Sequence, residues 1–392
     1  MVQRRIDEFI QRTPLSQRKE VLSGKKITIK EGVFWIQKQR QMHSLHYVTP
    51  YQASFPPQIP AYFIEHYSKK GDKILDPFCG RGTTIFEANL RGRIGFGVDI
   101  SPLAIEIAKA KMKKVTYEQI EKRLKEIDFS KRYTKGYEKF KDIYHKNTYS
   151  QIINLKNQLK DTPVDNLIKV IILGRLHGHS PAFFSALTFN VISISPEAFR
   201  KQNIKHGSKP EDRNVVSRIL KKAKTILRDP IIEQPSSKLY MAKSTKLPIK
   251  DNSIDLIVTS PPFLAVINYI DDNWLRFWFL DYNKKDLDEL RKVLVQTNDL
   301  DEYTKFIDKS MKEMNRVLRK NKYCVIEVGD VAHKSQKLNL DELIVELSEK
   351  NNFKVKEILI NYISSPKISK AFSEGAKQKG TKTNRCVIMK KK

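Results

Sequence analysis

An apolar segment, Asp255-Leu256-Ile257-Val258, ends in the run Thr259-Ser260-Pro261-Pro262-Phe263. Proline has no backbone N–H and a fixed φ angle, so two prolines in succession cannot extend a strand. The strand must therefore end in a rigid loop that presents carbonyl oxygens and an aromatic ring. Such a loop could bind a flat group that carries an amino function. The candidate catalytic residues of the loop are Ser260, Pro261, Pro262 and Phe263.

A second candidate site is the glycine-rich turn Asp76-Pro77-Phe78-Cys79-Gly80-Arg81-Gly82-Thr83-Thr84. Gly80 and Gly82 stand where a chain leaving a strand turns into a helix, which needs unusual backbone angles or close approach of a ligand. Asp99 follows 19 residues after Gly80, at the predicted tip of the next strand. Its carboxylate could accept hydrogen bonds from both hydroxyls of a ribose. The turn alone also fits a structural role, but together with Asp99 it predicts a site for a nucleoside cofactor.

Both motifs together resemble those of the S-adenosylmethionine-dependent DNA amino-methyltransferases, which methylate N4 of cytosine or N6 of adenine. The family's catalytic loop, (Asp/Asn/Ser)-Pro-Pro-(Tyr/Phe), matches Ser260–Phe263, and Tyr51–Pro57 is similar to its segment that holds the methionine end of the cofactor. The chain departs from the family at Arg81, where Ser is common, and at Ser244, where Asp beside the adenine is common. The cofactor contacts that the resemblance implies are Ser54, Phe55, Asp76, Pro77, Phe78, Gly80, Gly82, Thr83, Asp99, Ile100 and Ser244.

The lone pair of an exocyclic base amine is delocalised into the ring, so the nitrogen is a poor nucleophile until its hydrogens are held. Ser260 and the carbonyl of Pro261 could accept those hydrogens and aim the nitrogen at the methyl group for direct in-line transfer. Phe263 could stack on a base that is flipped out of the duplex. Methylation at cytosine C5 is disfavoured, because it needs a cysteine nucleophile and the chain has no Pro-Cys dipeptide.

The identity of the methylated base depends on the first residue of the catalytic loop. Within the resemblance, Ser260 favours N4 of cytosine, whereas Asp or Asn at this position is typical of N6-adenine enzymes. Three alternatives remain: an N6-adenine DNA methyltransferase, an RNA base N-methyltransferase, and a non-catalytic DNA-binding protein with a vestigial cofactor fold. The intact glycine turn, Asp99 and catalytic loop argue against the last of these.

Hydrophobic periodicity predicts the elements that must position these residues. Strands alternate with helices up to about residue 114, the alternation breaks over a polar stretch, and it resumes near residue 239. Predicted strands are 73–75, 93–98, 239–242, 254–258, 323–328, 353–360 and 385–389, the last two as an antiparallel pair, and predicted helices are 83–90, from Pro102, 275–280, 307–318 and 340–347.

This order predicts an α/β protein with a Rossmann-like methyltransferase sheet of about seven strands, helices on both faces, and a large, mostly helical insertion. Residues 1–114 and 239–392 are the N-terminal and C-terminal parts of the predicted catalytic domain, and 115–238 are the inserted segment. Ordinary connections run about 2–6 residues, so we expect so long an insertion to be functional. By its position it is the candidate region for recognition of the target sequence.

The charge of the chain indicates a polyanionic partner. Lys and Arg number 73 against 44 Asp and Glu, a net charge of +29. Duplex DNA is the expected partner, although a well-solvated lysine-rich surface would give the same count. In the segment from Lys131 to Lys146, basic residues alternate with aromatic residues that could pack or stack. The candidate DNA contacts are Tyr269, Lys131, Arg132, Lys135, His177, His179, Lys377 and Lys379.

Several other kinds of site are not indicated. No apolar run reaches the roughly 18–20 residues of a membrane span, and no signal-peptide core follows Met1. The three widely spaced cysteines predict no disulfide framework, and the His pairs 43/46 and 177/179 lack the partners of a metal site. We therefore expect a cytoplasmic, nucleoid-associated prokaryotic enzyme without a metal, and the resemblance implies a separate cognate restriction endonuclease.

Overall fold

The computed structural model describes residues 16–35, 42–52, 54, 56–188, 192–230, 237–262, 268–294, 297, 299–333, 336–362 and 383–392. Its strands are β1 Ser16–Leu22, β2 Lys25–Gly32, β3 Lys73–Asp76, β4 Ile94–Asp99, β5 Lys238–Met241, β6 Ile254–Thr259, β7 Leu318–Val328, β8 Asp330–His333, β9 Gln336–Asn339, β10 Phe353–Tyr362 and β11 Thr383–Lys391. Its helices are α1 Gln58–Tyr67, α2 Thr83–Leu90, α3 Pro102–Lys109, α4 Tyr117–Lys125, α5 Lys146–Gln158, α6 Pro163–Leu173, α7 Pro196–His206, α8 Val215–Ile226, α9 Trp274–Phe279, α10 Lys284–Val293, α11 Leu300–Val317 and α12 Leu340–Lys350.

Among the described residues, nine strands form one sheet in the order β1-β2-β10-β11-β7-β6-β3-β4-β5, and β8 and β9 form a small separate ribbon. Strand β3 pairs in parallel with β4 on one side and with β6 on the other. Strand β11 lies antiparallel between β7 and β10. The seven predicted strands are all present and the predicted terminal antiparallel pair is confirmed.

Helices cover both faces of the sheet, as predicted. Successive side chains of a strand point to opposite faces, so neighbouring apolar residues enter different cores. Leu75 of β3 packs in one buried cluster with Met311 of α11. Ile74 packs in another with Phe63 of α1. Burial on both faces explains why the apolar residues of β3, Ile74-Leu75, and of β6, Leu256-Ile257-Val258, are consecutive and lack an alternating pattern.

Two further strands, β1 and β2, extend the sheet beyond the seven that the sequence predicts. They form a hairpin in which Ser23 and Gly24 have φ of 48° and 76°, and β2 pairs in parallel with β10. Positive φ at both central residues is typical of the tight turns that suit the twist of a hairpin. The hairpin was missed because β1 is polar at five of its seven positions and exposed at six.

The insertion is helical and shares a core with the elements that precede it. Helices α4 to α8 account for the regular secondary structure described between residues 115 and 230. One continuous buried cluster includes Phe86 of α2, Ile107 of α3 and Ile171 of α6. Because this core runs without a break from α2 and α3 into the insertion, the division into segments 1–114, 115–238 and 239–392 stays a prediction. Within the described residues, no helix has the length and apolar composition needed to cross a bilayer.

Candidate active site

The order of the strands creates a switch point beside β3. The chain passes from β3 to β4 on one side and later returns to β6 on the other, so the carboxyl ends of these strands meet at a crevice. Ligands of open α/β sheets bind at such a point. A cavity of about 420 Å³ opens there, and the predicted residues that line it are Ser54, Pro77, Phe78, Gly80, Thr83, Asp99, Ile100, Ser244, Ser260, Pro261, Pro262 and Tyr269.

Asp76 lies beneath this cavity, fully buried, and does not line it. The hydroxyls of Thr84 and Thr259 donate to its two carboxylate oxygens at 2.7 and 2.6 Å, and the backbone N–H of Phe78 donates at 3.1 Å. Burial raises the pKa of Asp76 to about 6, and these hydrogen bonds oppose the rise. The prediction of a direct cofactor contact is corrected: Asp76 joins β3, α2 and β6 and so positions the turn.

The two glycines of the turn have different surroundings. Gly80, with φ of 47°, lines the cavity, and a Cβ there would lie 3.4 Å from Cε1 of Tyr51. Gly82, with φ of 74°, faces α3, where a Cβ would lie 2.8 Å from the Cβ of Ala108. A side chain at Gly82 would therefore push α2 and α3 apart. Gly82 permits close helix packing beneath the cavity and is, like Asp76, corrected from a cofactor contact to a structural role.

The carboxylate of Asp99, at the end of β4, is held by backbone N–H groups. Its oxygens accept those of Gly80 and Ser101, both at 2.8 Å, and the backbone N–H of Ile100 also hydrogen-bonds to it. Two carboxylate oxygens offer about four acceptor positions, so capacity for a further hydrogen bond from the cavity remains. Burial raises the pKa of Asp99, which these N–H donors oppose. The backbone bonds thus hold the carboxylate in one orientation with acceptor capacity left over.

One wall of the cavity carries the rings of Phe78 and Phe306, which lie 5.8 Å apart, and the hydroxyl of Ser244. Behind it, the buried hydroxyl of Ser310 lies 3.0 Å from that of Ser244. Both Phe306 and Ser310 belong to α11. Sequence reasoning missed this wall, since α11 follows the catalytic loop by about 40 residues and only its apolar spacing was informative.

The catalytic loop is held from two sides by residues that sequence reasoning missed. The side chain of Ser260 is within hydrogen-bonding reach of Glu327 of β7, a carboxylate only 4% exposed that accepts from Asn384 at 2.8 Å. Burial raises the pKa of Glu327. From α11, the hydroxyl of Tyr303 donates to the carbonyl of Pro262 at 3.1 Å. A single carboxylate inside the apolar run Tyr323–Val328 was the available signal for Glu327.

The predicted DNA contacts fall into different environments. Tyr269 lines the cavity, whereas Lys131, Arg132, Lys135 and His179 are exposed on the insertion and do not line it. His177 is corrected: it is buried, its Nε2 lies 3.1 Å from the hydroxyl of Ser193, and burial lowers its pKa to about 3. A neutral, enclosed imidazole is not available to a phosphate. Four predicted site residues lie outside the described part of the chain: Phe55, Phe263, Lys377 and Lys379.

The aromatic residues between the basic residues of the insertion pack in its interior. Phe140 and Tyr144 are buried, and the hydroxyl of Tyr144 donates to the carbonyl of Leu176 at 2.8 Å. The ring of Phe140 also lies 4.4 Å from that of Trp278 in α9. Of the two roles left open by the sequence, packing is the one observed for these rings, and the neighbouring lysines remain on the surface.

Comparison with known proteins identifies the same segments. A family model described as DNA methylase matches residues 7–110, and one described as methyltransferase domain matches 68–202. Three Type II methyltransferases are similar: M.MjaII of Methanocaldococcus jannaschii (31% identity over 33% of this chain and 26% of that protein), M.BsoBI of Geobacillus stearothermophilus (26%, 64% and 55%) and M.MvaI of Kocuria varians (23%, 77% and 80%). The chain thus spans about a quarter of the length of the first relative and about half of the second.

Solved structures with related topology are more distant. A SAM-dependent methyltransferase of Methanosarcina mazei shares 11% identity with a TM-score of 0.35, over 84% of this chain and 96% of that one. Geranyl diphosphate C-methyltransferase of Streptomyces coelicolor shares 8% identity with a TM-score of 0.35, over 85% and 77%.

The DNA methylase model covers the Tyr51–Pro57 segment, the glycine turn and Asp99, and of these Tyr51, Gln52, Ser54, Gly80 and Asp99 line the cavity. The cofactor of these enzymes is S-adenosylmethionine, and the cavity fits it, with the carboxylate of Asp99 and the rings of Phe78 and Phe306 in its lining. The match at the cofactor motifs and the Type II relatives show that the chain is similar to S-adenosylmethionine-dependent DNA methyltransferases, and its Ser-Pro-Pro loop lies at the same cavity.

Proposed function

We propose that this protein transfers the methyl group of S-adenosylmethionine to the exocyclic N4 amine of cytosine at a specific sequence in duplex DNA. The observation that carries the proposal is the presence of Ser260 and Pro261 on the same cavity as Gly80 and Asp99. The proposal extends to a role as the modification enzyme of a restriction-modification system, beside a separate endonuclease. The Type II relatives support that role.

The cofactor would lie along the carboxyl ends of β3 and β4. Asp99 would accept hydrogen bonds from its ribose hydroxyls, and Ile100, Phe78 and Ser244 would contact its adenine. The segment containing Ser54 would hold its methionine end. When bound, the cofactor supplies a methyl group on a sulfonium, and the residues of the chain orient it toward the catalytic loop. The remaining proposed contacts are Pro77, Gly80 and Thr83.

The catalytic loop would hold the target amine by its hydrogens. The Ser260 hydroxyl donates its single proton to Glu327, which leaves the lone pairs of its Oγ to accept an amine hydrogen. The carbonyl of Pro261 accepts the second hydrogen. With both hydrogens held, the nitrogen lone pair is directed at the methyl group, and fixed acceptors stabilise positive charge as it develops on nitrogen. The methylated nitrogen then loses one proton to the oxygen of the Ser260 hydroxyl, which passes its own proton to its hydrogen-bond partner Glu327.

Cytosine is proposed over adenine because the residue before the prolines is Ser260. A carboxylate or amide at this position is typical of N6-adenine enzymes. Here the Ser260 hydroxyl supplies a neutral acceptor, and the negative charge lies behind it on its hydrogen-bond partner, Glu327. The base would reach the loop by flipping out of the helix, with Phe263 proposed as its stacking partner.

Mass spectrometry of nucleosides tests the reaction directly. Duplex DNA incubated with the protein and S-adenosylmethionine is expected to contain N4-methylcytosine within one sequence context. N6-methyladenine would reassign the base, and preferential methylation of a structured RNA competitor would reassign the substrate. No methylated nucleoside in any duplex tested would refute the proposed function.

Separate variants distinguish cofactor binding from transfer. Asp99→Asn should weaken S-adenosylmethionine binding roughly tenfold or more in calorimetry, because each hydrogen bond to a charged group contributes about 1.5–3 kcal/mol. Ser260→Ala should retain that affinity and lose about 100-fold in kcat, the order of loss for one preorganised hydrogen-bonding group. Equal losses of cofactor affinity in both variants would show that the site is misassigned.

The raised pKa of Glu327 predicts an acid limb in the pH profile. Glu327 must be ionised to accept the Ser260 proton, so kcat should fall as pH decreases, with an apparent pKa above the ordinary value of 4.5. In Glu327→Gln, kcat should be lower at neutral pH and this limb should be absent. The pKa of Asp76, about 6, could add a second limb, so cofactor affinity is measured across the same pH range. An unchanged acid limb in Glu327→Gln would contradict the assignment.

Basic residues of the insertion are proposed to contact DNA phosphates. Replacing Lys131 and Lys135 with Ala should weaken duplex binding about equally for all sequences and reduce the salt slope by about 0.9 for each lost phosphate contact. The matched control replaces Lys354 and Lys356, exposed lysines of β10, and removes the same charge. Fluorescence anisotropy at several salt concentrations measures both. Equal effects of the two pairs would mean that net charge, and not the insertion, determines binding.

A further inference from the structure

The proposed amine site depends on which acceptors of the catalytic loop are free, and α11 helps to decide this. We propose that Tyr303 is a positioning residue that locks the Pro261-Pro262 segment and leaves the carbonyl of Pro261 as the loop's acceptor for the target amine. This inference rests on the proposed function and adds a residue that lies outside both sequence motifs.

Tyr303 is rigidly placed behind the loop. It lies in the first turn of α11, where the carboxylate of Asp299 caps the helix by accepting the N–H groups of Asp301 and Glu302 at 2.8 and 3.0 Å. Its side chain is only 3% exposed, and its hydroxyl donates to the carbonyl of Pro262 at 3.1 Å. Burial raises the pKa of this hydroxyl, so it stays protonated as a donor.

The hydrogen bond from Tyr303 restrains ψ of Pro262, the one backbone torsion of the Pro261-Pro262 segment that the proline rings leave free. The proline rings fix φ of Pro261 and Pro262 near −65°. A residue before a proline is restricted to extended ψ, which applies to Ser260 and to Pro261. The ψ angle of Pro262 has no such restriction, and it sets the direction of the carbonyl that Tyr303 holds. The same angle sets the course of the chain into Phe263.

Hydrogen-bond capacity then selects the amine acceptors. The carbonyl of Pro262 is engaged by Tyr303, and the proton of the Ser260 hydroxyl is engaged by Glu327. The carbonyl of Pro261 has no hydrogen-bond partner among the residues that the structure describes, and Pro261 lines the cavity. An amine with two hydrogens to place thus meets one hydroxyl oxygen and one carbonyl oxygen, both preoriented.

Tyr303 does not itself line the cavity, so it acts through the loop. Loss of its hydroxyl would free ψ of Pro262 and let the peptide that leads to Phe263 rotate. Misplacement of this kind slows transfer without touching the cofactor, because alignment of reacting groups accounts for much of the rate in such reactions. The inference therefore predicts an effect on kcat that is separate from cofactor affinity.

The test compares Tyr303→Phe with Tyr144→Phe under single-turnover conditions. Tyr144 is a matched control, because its buried hydroxyl also donates to a backbone carbonyl, that of Leu176, within the insertion. Tyr303→Phe is expected to lower the rate of methyl transfer about tenfold. Its Kd for S-adenosylmethionine and its KM for DNA should stay within about twofold of the wild-type values. Tyr144→Phe is expected to transfer methyl groups at the wild-type rate.

Cofactor calorimetry and thermal unfolding of both variants separate positioning from stability. A rate for Tyr303→Phe equal to that of Tyr144→Phe would overturn the inference while leaving the proposed function intact. A loss of methyl-transfer rate in Tyr303→Phe that is matched by an equal loss of cofactor affinity would also overturn the inference and leave the proposed function intact. An active wild-type protein is required for either result, and a wild type without methyl transfer to any duplex overturns the proposed function together with this inference.

Discussion

The buried carboxylate of Asp76 is the interaction on which the site depends. Through Thr84 it is bonded to the first turn of α2, and through Thr259 to the last residue of β6, 183 positions along the chain. Taking a carboxylate out of water is costly, as its raised pKa indicates, so a site that retains it must satisfy it with donors. Those donors fix the glycine turn relative to the strand that carries the Ser-Pro-Pro loop, which is the relation that the proposed methyl transfer needs.

A similar arrangement recurs on the other side of the crevice. Asp99 accepts backbone N–H groups and keeps acceptor capacity toward the cavity. Glu327 of β7 and Tyr303 of α11 contact the catalytic loop and so determine which of its polar atoms remain available. In the loop, buried polar groups outside the cavity thus orient groups that face it. Positioning of this kind would let a hydroxyl and a backbone carbonyl, which are weak catalytic groups, activate a poor nucleophile.

Much of the fold could be read from the sequence because its signals are local. Strands β3, β4, β6 and β7 each contain a short, largely apolar segment, and the helix at Thr83–Leu90 begins and ends where predicted. The hairpin β1–β2 could not be read in this way, because an exposed edge strand has no apolar face to mark it. Within the site, the types of residue were foreseen, but Asp76 and Gly82 face the interior and His177 is enclosed. Which way a residue of a turn points depends on the helix and strand packed beside it.

By itself, the sequence determined which chemical groups are present: a glycine turn, an acidic residue at a strand end and a loop with two prolines. Each of these motifs constrains the backbone within a few residues. The tertiary structure decided which of these groups share a cavity, and it supplied Glu327 and Tyr303 as partners of the loop. The partner of Pro262 is 41 residues away, on a helix whose own sequence has no catalytic motif. Steric limits of proline and glycine are local properties of the chain. Hydrogen-bond partners are set by the order of strands and the packing of helices, which bring distant residues together.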